Sequence, residues 1–297
     1  MKPPIFDYYA PESLDEALTL LAEHGEEAKP LAGGQSLVAA MNFRLAQPAI
    51  LVDLNRIKTL FGIRKQNDGG LHIGAMTRQR TVERSPLVAT RAPLVAQTMP
   101  HIAHAQIRNR GTFGGSLAHA DPASELPAVA IALDMKMRAQ SIHGERWIPA
   151  SDFFLGLFET SLEPDELLTE VHIPPLRTGN GKGLSLRTGT AFDEVARRHG
   201  DYAMAGAAAV VTLAEDGTIA DSKLVFFSID DAPLCASSAA AVLQGEQPTT
   251  ELIRAAAEAI DDDIDPVSDI HATAAYRRHL AKVLARRTLS RAIARVQ

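Results

Sequence analysis

The sequence is poor in several things at once. It has one cysteine, Cys235, and one tryptophan in 297 residues, and aromatics make up 5% of the chain. One thiolate cannot close an internal disulfide, a four-cysteine zinc site or an iron–sulfur cluster. That usage points to a cytoplasmic protein. No apolar run approaches the ~20 residues that cross a bilayer, so no transmembrane segment is expected. The opening Met1-Lys2-Pro3-Pro4-Ile5-Phe6-Asp7 lacks the apolar stretch of a signal peptide. Positive charge is also short: 30 Lys+Arg stand against 36 Asp+Glu, a formal net charge of −6. A mildly acidic chain with scattered positives lacks the footprint of a nucleic-acid binder. Neither G-x-G-x-x-G nor the P-loop pattern occurs, which argues against a standard Rossmann or P-loop site. G-x-S-x-G is absent too, which argues against an α/β-hydrolase.

What remains is ordinary globular material, 46% hydrophobic and 22% charged. The length allows two or three domains of ~100–150 residues. Residues 13–24 read as a helix: Ser13 and Glu16 form a capping box, Leu14, Ala17, Leu18 and Leu21 make one apolar stripe, and Gly25 ends it. A short strand near Lys29–Ala32, a glycine turn, an apolar connection from Leu37 to Leu45 and a buried strand near Ala49–Leu54 suggest a small parallel α/β unit. Asn67-Asp68-Gly69-Gly70 marks a hairpin within residues 58–80. Residues 86–106 read as helical around Pro93 and Pro100. Leu167 to Ile173 reads as a strand. The glycine-rich run Thr178-Gly179-Asn180-Gly181-Lys182-Gly183 is expected to separate two domains. Beyond it, Ala203–Leu213 and Lys223–Ile229 read as strands joined at Glu215-Asp216-Gly217, and residues 232–244, 249–260 and 270–295 as helices.

Two segments carry the chemical signal. Gly33-Gly34-Gln35-Ser36 and Gly111-Thr112-Phe113-Gly114-Gly115-Ser116 each join glycines to a hydroxyl. Without a Cβ, backbone N–H groups can approach a ligand closely and hold an anion with no basic side chain. Each pair alone is also what a tight turn looks like; the two together favour a dinucleotide, one segment per phosphate. Other clusters read as structural. His101, His104 and His119 lack an acidic ligand in register. Asp261-Asp262-Asp263 and Asp265 lack calcium-loop spacing and read as a solvated loop. Cys235 reads as an inert small hydrophobe. Arg277, Arg278, Lys282, Arg286, Arg287 and Arg291 read as a solvated or partner-facing helix face.

Pro30-Leu31-Ala32-Gly33-Gly34-Gln35-Ser36-Leu37 and Asn109-Arg110-Gly111-Thr112-Phe113-Gly114-Gly115-Ser116 resemble the two FAD-pyrophosphate loops of the molybdenum hydroxylases, the family of carbon monoxide dehydrogenase and xanthine dehydrogenase. Flanking segments are similar as well: the opening Phe6-Asp7-Tyr8 with residues 11–17, His119-Ala120-Asp121-Pro122-Ala123-Ser124-Glu125-Leu126-Pro127, the run 196–203, and Ala275-Tyr276-Arg277-Arg278-His279-Leu280. The resemblance spans nearly the whole chain.

The resemblance implies an α+β fold. A two-subdomain FAD-binding domain of the vanillyl-alcohol oxidase/PCMH type would occupy residues 1–177, with subdomains of about 1–57 and 58–177. A C-terminal α+β domain with an antiparallel sheet and helices would occupy 178–297. It implies that Leu31, Ala32, Gly33, Gly34, Gln35, Ser36 and Leu37 hold the FAD pyrophosphate, and that Thr112, Phe113, Gly114, Gly115 and Ser116 close over the cofactor. Glu125 would lie near the ribityl hydroxyls, Leu168 along the cofactor and Phe192 near the isoalloxazine. It implies no catalytic side chain and no metal site on this chain. Its partners would be a large molybdenum subunit carrying a molybdopterin cofactor and a small subunit carrying [2Fe-2S] clusters, in a dimer of heterotrimers. Electrons would pass from those clusters through FAD to an external acceptor. The alternative is a stand-alone FAD-dependent oxidoreductase acting on its own small substrate. The lack of an acid/base constellation favours electron relay.

Overall fold

The computed structural model describes residues 2–176, 179–181 and 184–296. Among the described residues three larger sheets and one two-stranded pair, with helices packed on them, make up an α+β fold. The first sheet comes from the N-terminal residues. Strand β1 (Asp7–Tyr9) is followed by helix α1 (Leu14–His24), β2 (Ala28–Leu31), α2 (Leu37–Asn42) and β3 (Ile50–Asp53). The strands run parallel in the order β1-β3-β2. α1 starts where the Ser13 side chain accepts from the N–H of Glu16 at 3.2 Å. The Glu16 carboxylate returns to the N–H of Glu12, at 3.0 Å, rather than to that of the cap itself. Ala17, Leu18 and Leu21 bury the helix against β2 and β3, and Gly25, at φ +50°, ends it.

The second sheet is antiparallel. A hairpin of β4 (Ile63–Lys65) and β5 (Leu71–Gly74) leads into five short helices: α3 (Gln79–Glu83), α4 (Pro86–Arg91), α5 (Pro93–Thr98), α6 (Ala105–Arg108) and α7 (Phe113–His119). Helix α8 (Glu125–Ala132), the hairpin β6 (Lys136–Ser141) and β7 (Gly144–Pro149), the small pair β8 (Phe154–Gly156) and β9 (Glu159–Thr160), and β10 (Leu167–Ile173) follow. The order is β4-β5-β10-β6-β7. Pro86 and Pro93 each occupy a first helical turn, where the missing N–H costs nothing. They divide what reads as one helical stretch into separate helices. β10 coincides with the strand expected at Leu167–Ile173.

The third sheet is also antiparallel: β11 (Gly179–Gly181), β12 (Leu184–Ala196), β13 (Ala203–Leu213), β14 (Ile219–Phe227) and β15 (Leu234–Cys235), in sequence order. Residues 177, 178, 182 and 183 of the glycine-rich segment and its border lie outside the described residues, and Gly179–Gly181 pair with Leu184–Leu186. Helices α9 (Ser237–Leu243), α10 (Thr250–Ala259) and α11 (Ala274–Ala294) cover one face. The other face meets α5 and α8. β13 is therefore buried on both sides. Ala205, Ala207, Ala209 and Val211 face α9–α11, whereas Ala208 joins the core shared with α8, and small side chains let both layers approach.

Two features of α11 and its surroundings answer each other. Lys282 pairs with Glu258 at 2.7 Å and Asp261 at 2.5 Å, and Arg278 with Asp261 at 3.1 Å. Arg291 reaches Asp193 on β12 at 3.0 Å. The basic helix face and part of the acidic run are thus one internal network. Both sides also stay substantially exposed, the Arg278, Asp261 and Asp265 side chains at 36%, 41% and 104%. Arg277 is buried and donates to the carbonyls of Met204 and Ser228 and to Asp269. Cys235 is exposed on the edge strand.

Candidate functional site

The first glycine segment is the turn between β2 and α2. Gly34 has φ +72°, a left-handed conformation that disfavours any side chain. The Gln35 side chain folds back and donates to the carbonyl of Gly33 at 3.0 Å. The loop's own oxygens meanwhile start the helix: Gly34 O accepts from Val38 and Ser36 O from Ala40. Among the described residues, nothing accepts from the main-chain N–H groups of Gly33, Gly34, Gln35, Ser36 and Leu37. Ser36 stands at the N-cap of α2 without a side-chain capping bond. The segment is half-exposed. Five consecutive donors with no acceptor are a reservoir for an anion, and hydrogen bonds to a charged oxygen contribute ~1.5–3 kcal/mol each.

The second segment is built differently. Phe113 N–H donates to Thr77 O and Gly114 N–H to Ala75 O. The Thr112 side chain caps α7 by accepting from Gly115 N–H at 3.1 Å. Ser116 N–H donates to Thr112 O. Its donors are spent on scaffold, so the expected symmetry of one nest per phosphate is absent. What it offers is shape and a hydroxyl pair, Ser116 Oγ to Ser124 Oγ at 3.1 Å.

The structure brings the two segments into contact. A Cβ on Gly33 would fall 2.5 Å from Arg110 O and 2.7 Å from the Gly111 Cα; one on Gly115 would fall 3.2 Å from the Ala32 Cβ. The two segments therefore touch at Ala32 and Gly33, with Gly115 and Ser116 the partly exposed residues of the second and Thr112 and Phe113 buried behind them. Glu125, at the start of α8 next to Ser124, is 8% exposed. Burial first, and then the nearby Glu194 charge, push its carboxyl up to about 8, so it is mostly protonated at neutral pH. Asp121 and Glu125 in turn help burial raise the Tyr202 phenol. Leu168 and Phe113 are core side chains rather than surface ones. Phe192, on β12, stacks on Phe227 at 5.6 Å and meets His101 edge-on at 5.0 Å, and it is 6% exposed.

Sequence reasoning missed several residues here. Asn55 and Arg78 link the two segments through side-chain bonds to their carbonyls. Glu194 lies 3.3 Å from His101 Nδ1, and among the described residues its buried Oε2 has no partner. None of these belongs to a motif. His101 approaches Glu194 and stacks on His199 at 6.3 Å, His104 lies against the adjoining Gly200, and His119 stands against Phe158.

Residues 4–176 match the family model described as the FAD binding domain in molybdopterin dehydrogenase, and residues 190–292 that of the CO dehydrogenase flavoprotein C-terminal domain. The chain is a flavoprotein subunit of the molybdenum hydroxylase family. Among its relatives, it is 43% identical to the 6-hydroxypseudooxynicotine dehydrogenase complex subunit alpha of Paenarthrobacter nicotinovorans, across 100% of this chain and 97% of that one. It is 40% identical to the nicotine 6-hydroxylase medium subunit of the same organism, over 99% and 100%. Among solved structures, a carbon monoxide dehydrogenase chain from Hydrogenophaga pseudoflava that lacks the Mo-pyranopterin moiety superposes with a TM-score of 0.94 at 39% identity, covering both chains fully. This molybdenum hydroxylase flavoprotein subunit is thus a dehydrogenase component with an FAD-binding domain. Its five free N–H donors and glycine cradle fit a diphosphate.

Proposed function

We propose that this chain is the FAD-binding electron-transfer subunit of a heterotrimeric, cytoplasmic molybdenum hydroxylase, working as a dimer of heterotrimers. Its partners would be a large molybdenum subunit with a molybdopterin cofactor and a small subunit with [2Fe-2S] clusters, and the electrons would leave to an external acceptor. The observation that carries the reading is the row of unpartnered N–H groups at Gly33 to Leu37. Bound FAD supplies one- and two-electron redox chemistry that no side chain of this protein provides.

The protein's part is holding and placing. The N–H groups of residues 33–37 would face the pyrophosphate, with Ser36 adding its hydroxyl, and Leu31 and Ala32 would bring β2 up to it. Thr112, Phe113, Gly114, Gly115 and Ser116 would form the opposite wall from the second subdomain. Glu125, protonated near neutrality, can donate a hydrogen bond to a ribityl hydroxyl as well as accept one. Leu168 and Phe192 would pack behind the cofactor. Residues 1–177, in subdomains of about 1–57 and 58–177, would form the FAD-binding domain, and 178–297 the domain packed against it. Binding through backbone dipoles explains how a chain of net charge −6 takes up an anionic cofactor. One cysteine cannot ligate an iron–sulfur cluster, which supports a partner as the carrier of any cluster.

The test is reduction of the flavin by substrate. Relatives are named for caffeine, nicotine and carbon monoxide chemistry, so N-heteroaromatics and carbon monoxide form the panel. The FAD-loaded chain alone should stay oxidised with every member and be reduced only after the two partner subunits are added. Rapid reduction of the isolated chain by any of them would overturn the relay reading in favour of an independent oxidoreductase.

A further inference from the structure

The first glycine segment follows β2 of the first sheet, the second joins α6 to α7, and side chains tie the two together. Asn55 follows β3. Its N–H and Nδ2 donate to Asp53 Oδ1 at 2.9 and 2.5 Å, which fixes the amide in place. Nδ2 also donates to the carbonyl of Ala32, in the first segment, at 3.0 Å. Arg78 stands at the N-cap position of α3. Its Nη2 donates to Asn55 Oδ1 at 2.6 Å and its Nη1 to the carbonyl of Arg110, beside the second segment, at 2.6 Å. The guanidinium lies 5.8 Å from the Phe61 ring centroid. Burial, and then the Arg110 charge, lower its pKa, yet it keeps its proton as arginine does.

We propose that Asn55 and Arg78 form a positioning bracket that sets the separation of the two segments and so aims the donors of residues 33–37 at the FAD pyrophosphate. This rests on the FAD reading above. The bracket does two jobs. It spans from Ala32 O to Arg110 O, one carbonyl on each side of the contact at Gly33. It also occupies both oxygens. A carbonyl dipole left bare beside a diphosphate repels it, and that repulsion grows where the surroundings are half-buried. The planar fork of arginine is required because two bonds leave it in different directions. Lysine brings equal charge but only a single ammonium point, and cannot span the two acceptors in the same way.

The experiment uses the full chain, freed of FAD and titrated with FAD by flavin fluorescence and with ADP by competition. Charge-assisted hydrogen bonds of ~1.5–3 kcal/mol correspond to affinity losses of about tenfold to a hundredfold. Arg78→Met and Asn55→Ala should each weaken FAD and ADP by that factor, and the double variant by little more than the larger single loss. Arg78→Lys should fail to rescue. Amide exchange should quicken at residues 32–37 and 110–115 and stay slow in β10 and β13. Unchanged affinity in the two single variants, rescue by lysine, or additive losses would overturn the bracket. So would a loss of FAD that comes with faster exchange throughout the chain, since that is a folding defect. Gly33→Val separates this proposal from its premise: weak FAD binding in Gly33→Val with normal binding in the bracket variants refutes the bracket alone, and normal binding in all of them refutes the loop as the FAD site.

Discussion

Gly33→Val is the sharpest perturbation the site allows. A Cβ there would sit 2.5 Å from Arg110 O, where an ordinary contact begins near 3.4 Å, so the two segments must part by about 0.9 Å. The neighbour is backbone, which has no rotamer to escape into. Parting by that distance takes the 2.6 Å bond from Arg78 Nη1 to Arg110 O to the limit of hydrogen bonding. It also moves the donors of residues 33–37 relative to the wall at Thr112–Ser116. Losing one charge-assisted bond and part of the alignment costs ~2–3 kcal/mol, or roughly thirty- to hundredfold in FAD affinity. The core is untouched, because residue 33 lies in a half-exposed loop. The assay is flavin content per purified chain together with an FAD titration, beside a melting curve of the FAD-free chain. Valine at 33 with wild-type flavin content and affinity would refute the close-approach argument.

Two further substitutions test other parts. Glu125 has its carboxyl raised to about 8 by burial, so between its ordinary value of 4.5 and about 8 the folded chain holds a proton that the unfolded chain has released. Stability therefore falls as pH rises through that window, by a few kcal/mol at most. Glu125→Gln should flatten the slope of unfolding free energy against pH from 5 to 8, and an unchanged slope would show that another group is responsible. Arg277, 8% exposed, is held by Met204 O, Ser228 O and Asp269, so Arg277→Met leaves buried carbonyls unpaired and should cost ~3 kcal/mol in urea unfolding. A loss below ~1 kcal/mol would place the holding of α11 in its apolar face instead.

The elements that were legible in the sequence are those whose local chemistry and tertiary environment agree. Helix α1 carries its cap, stripe and terminating glycine within thirteen residues, and it forms there. β13 is an apolar run buried on both faces, and β10, though it carries Thr169, Glu170 and His172, sets them among Leu, Val and Ile, so both read as strands. β12 was not legible. Its thirteen residues mix Gly189, Arg187, Asp193 and Glu194 with apolar positions, because one face meets α11, where Asp193 receives Arg291, and the other meets α5 and His101. Such a strand has a pattern only once its neighbours are known. The hairpin β6–β7 was missed for a similar reason: β7, Gly144–Pro149, buries Ile148 and little else.

The site divides along the same line. Glycines and hydroxyls at residues 33–36 and 111–116 stand out because close backbone approach demands those residue types, so the sequence shows where an anion can be held. It does not show which segment keeps its donors. That depends on acceptors far away in the chain: Ala75 O and Thr77 O consume the N–H groups of Gly114 and Phe113, and among the described residues nothing comparable reaches Gly33 to Leu37. Two segments alike in composition thus take unlike roles, one donating and one shaping. Asn55 and Arg78 carry the same point further. They lie 23 positions apart and bind carbonyls, which every residue has, so no side-chain motif marks their partners. A residue that acts on main-chain oxygens leaves its signature in the fold alone, which is why the row of donors could be expected from glycine spacing and the bracket that aims it could not.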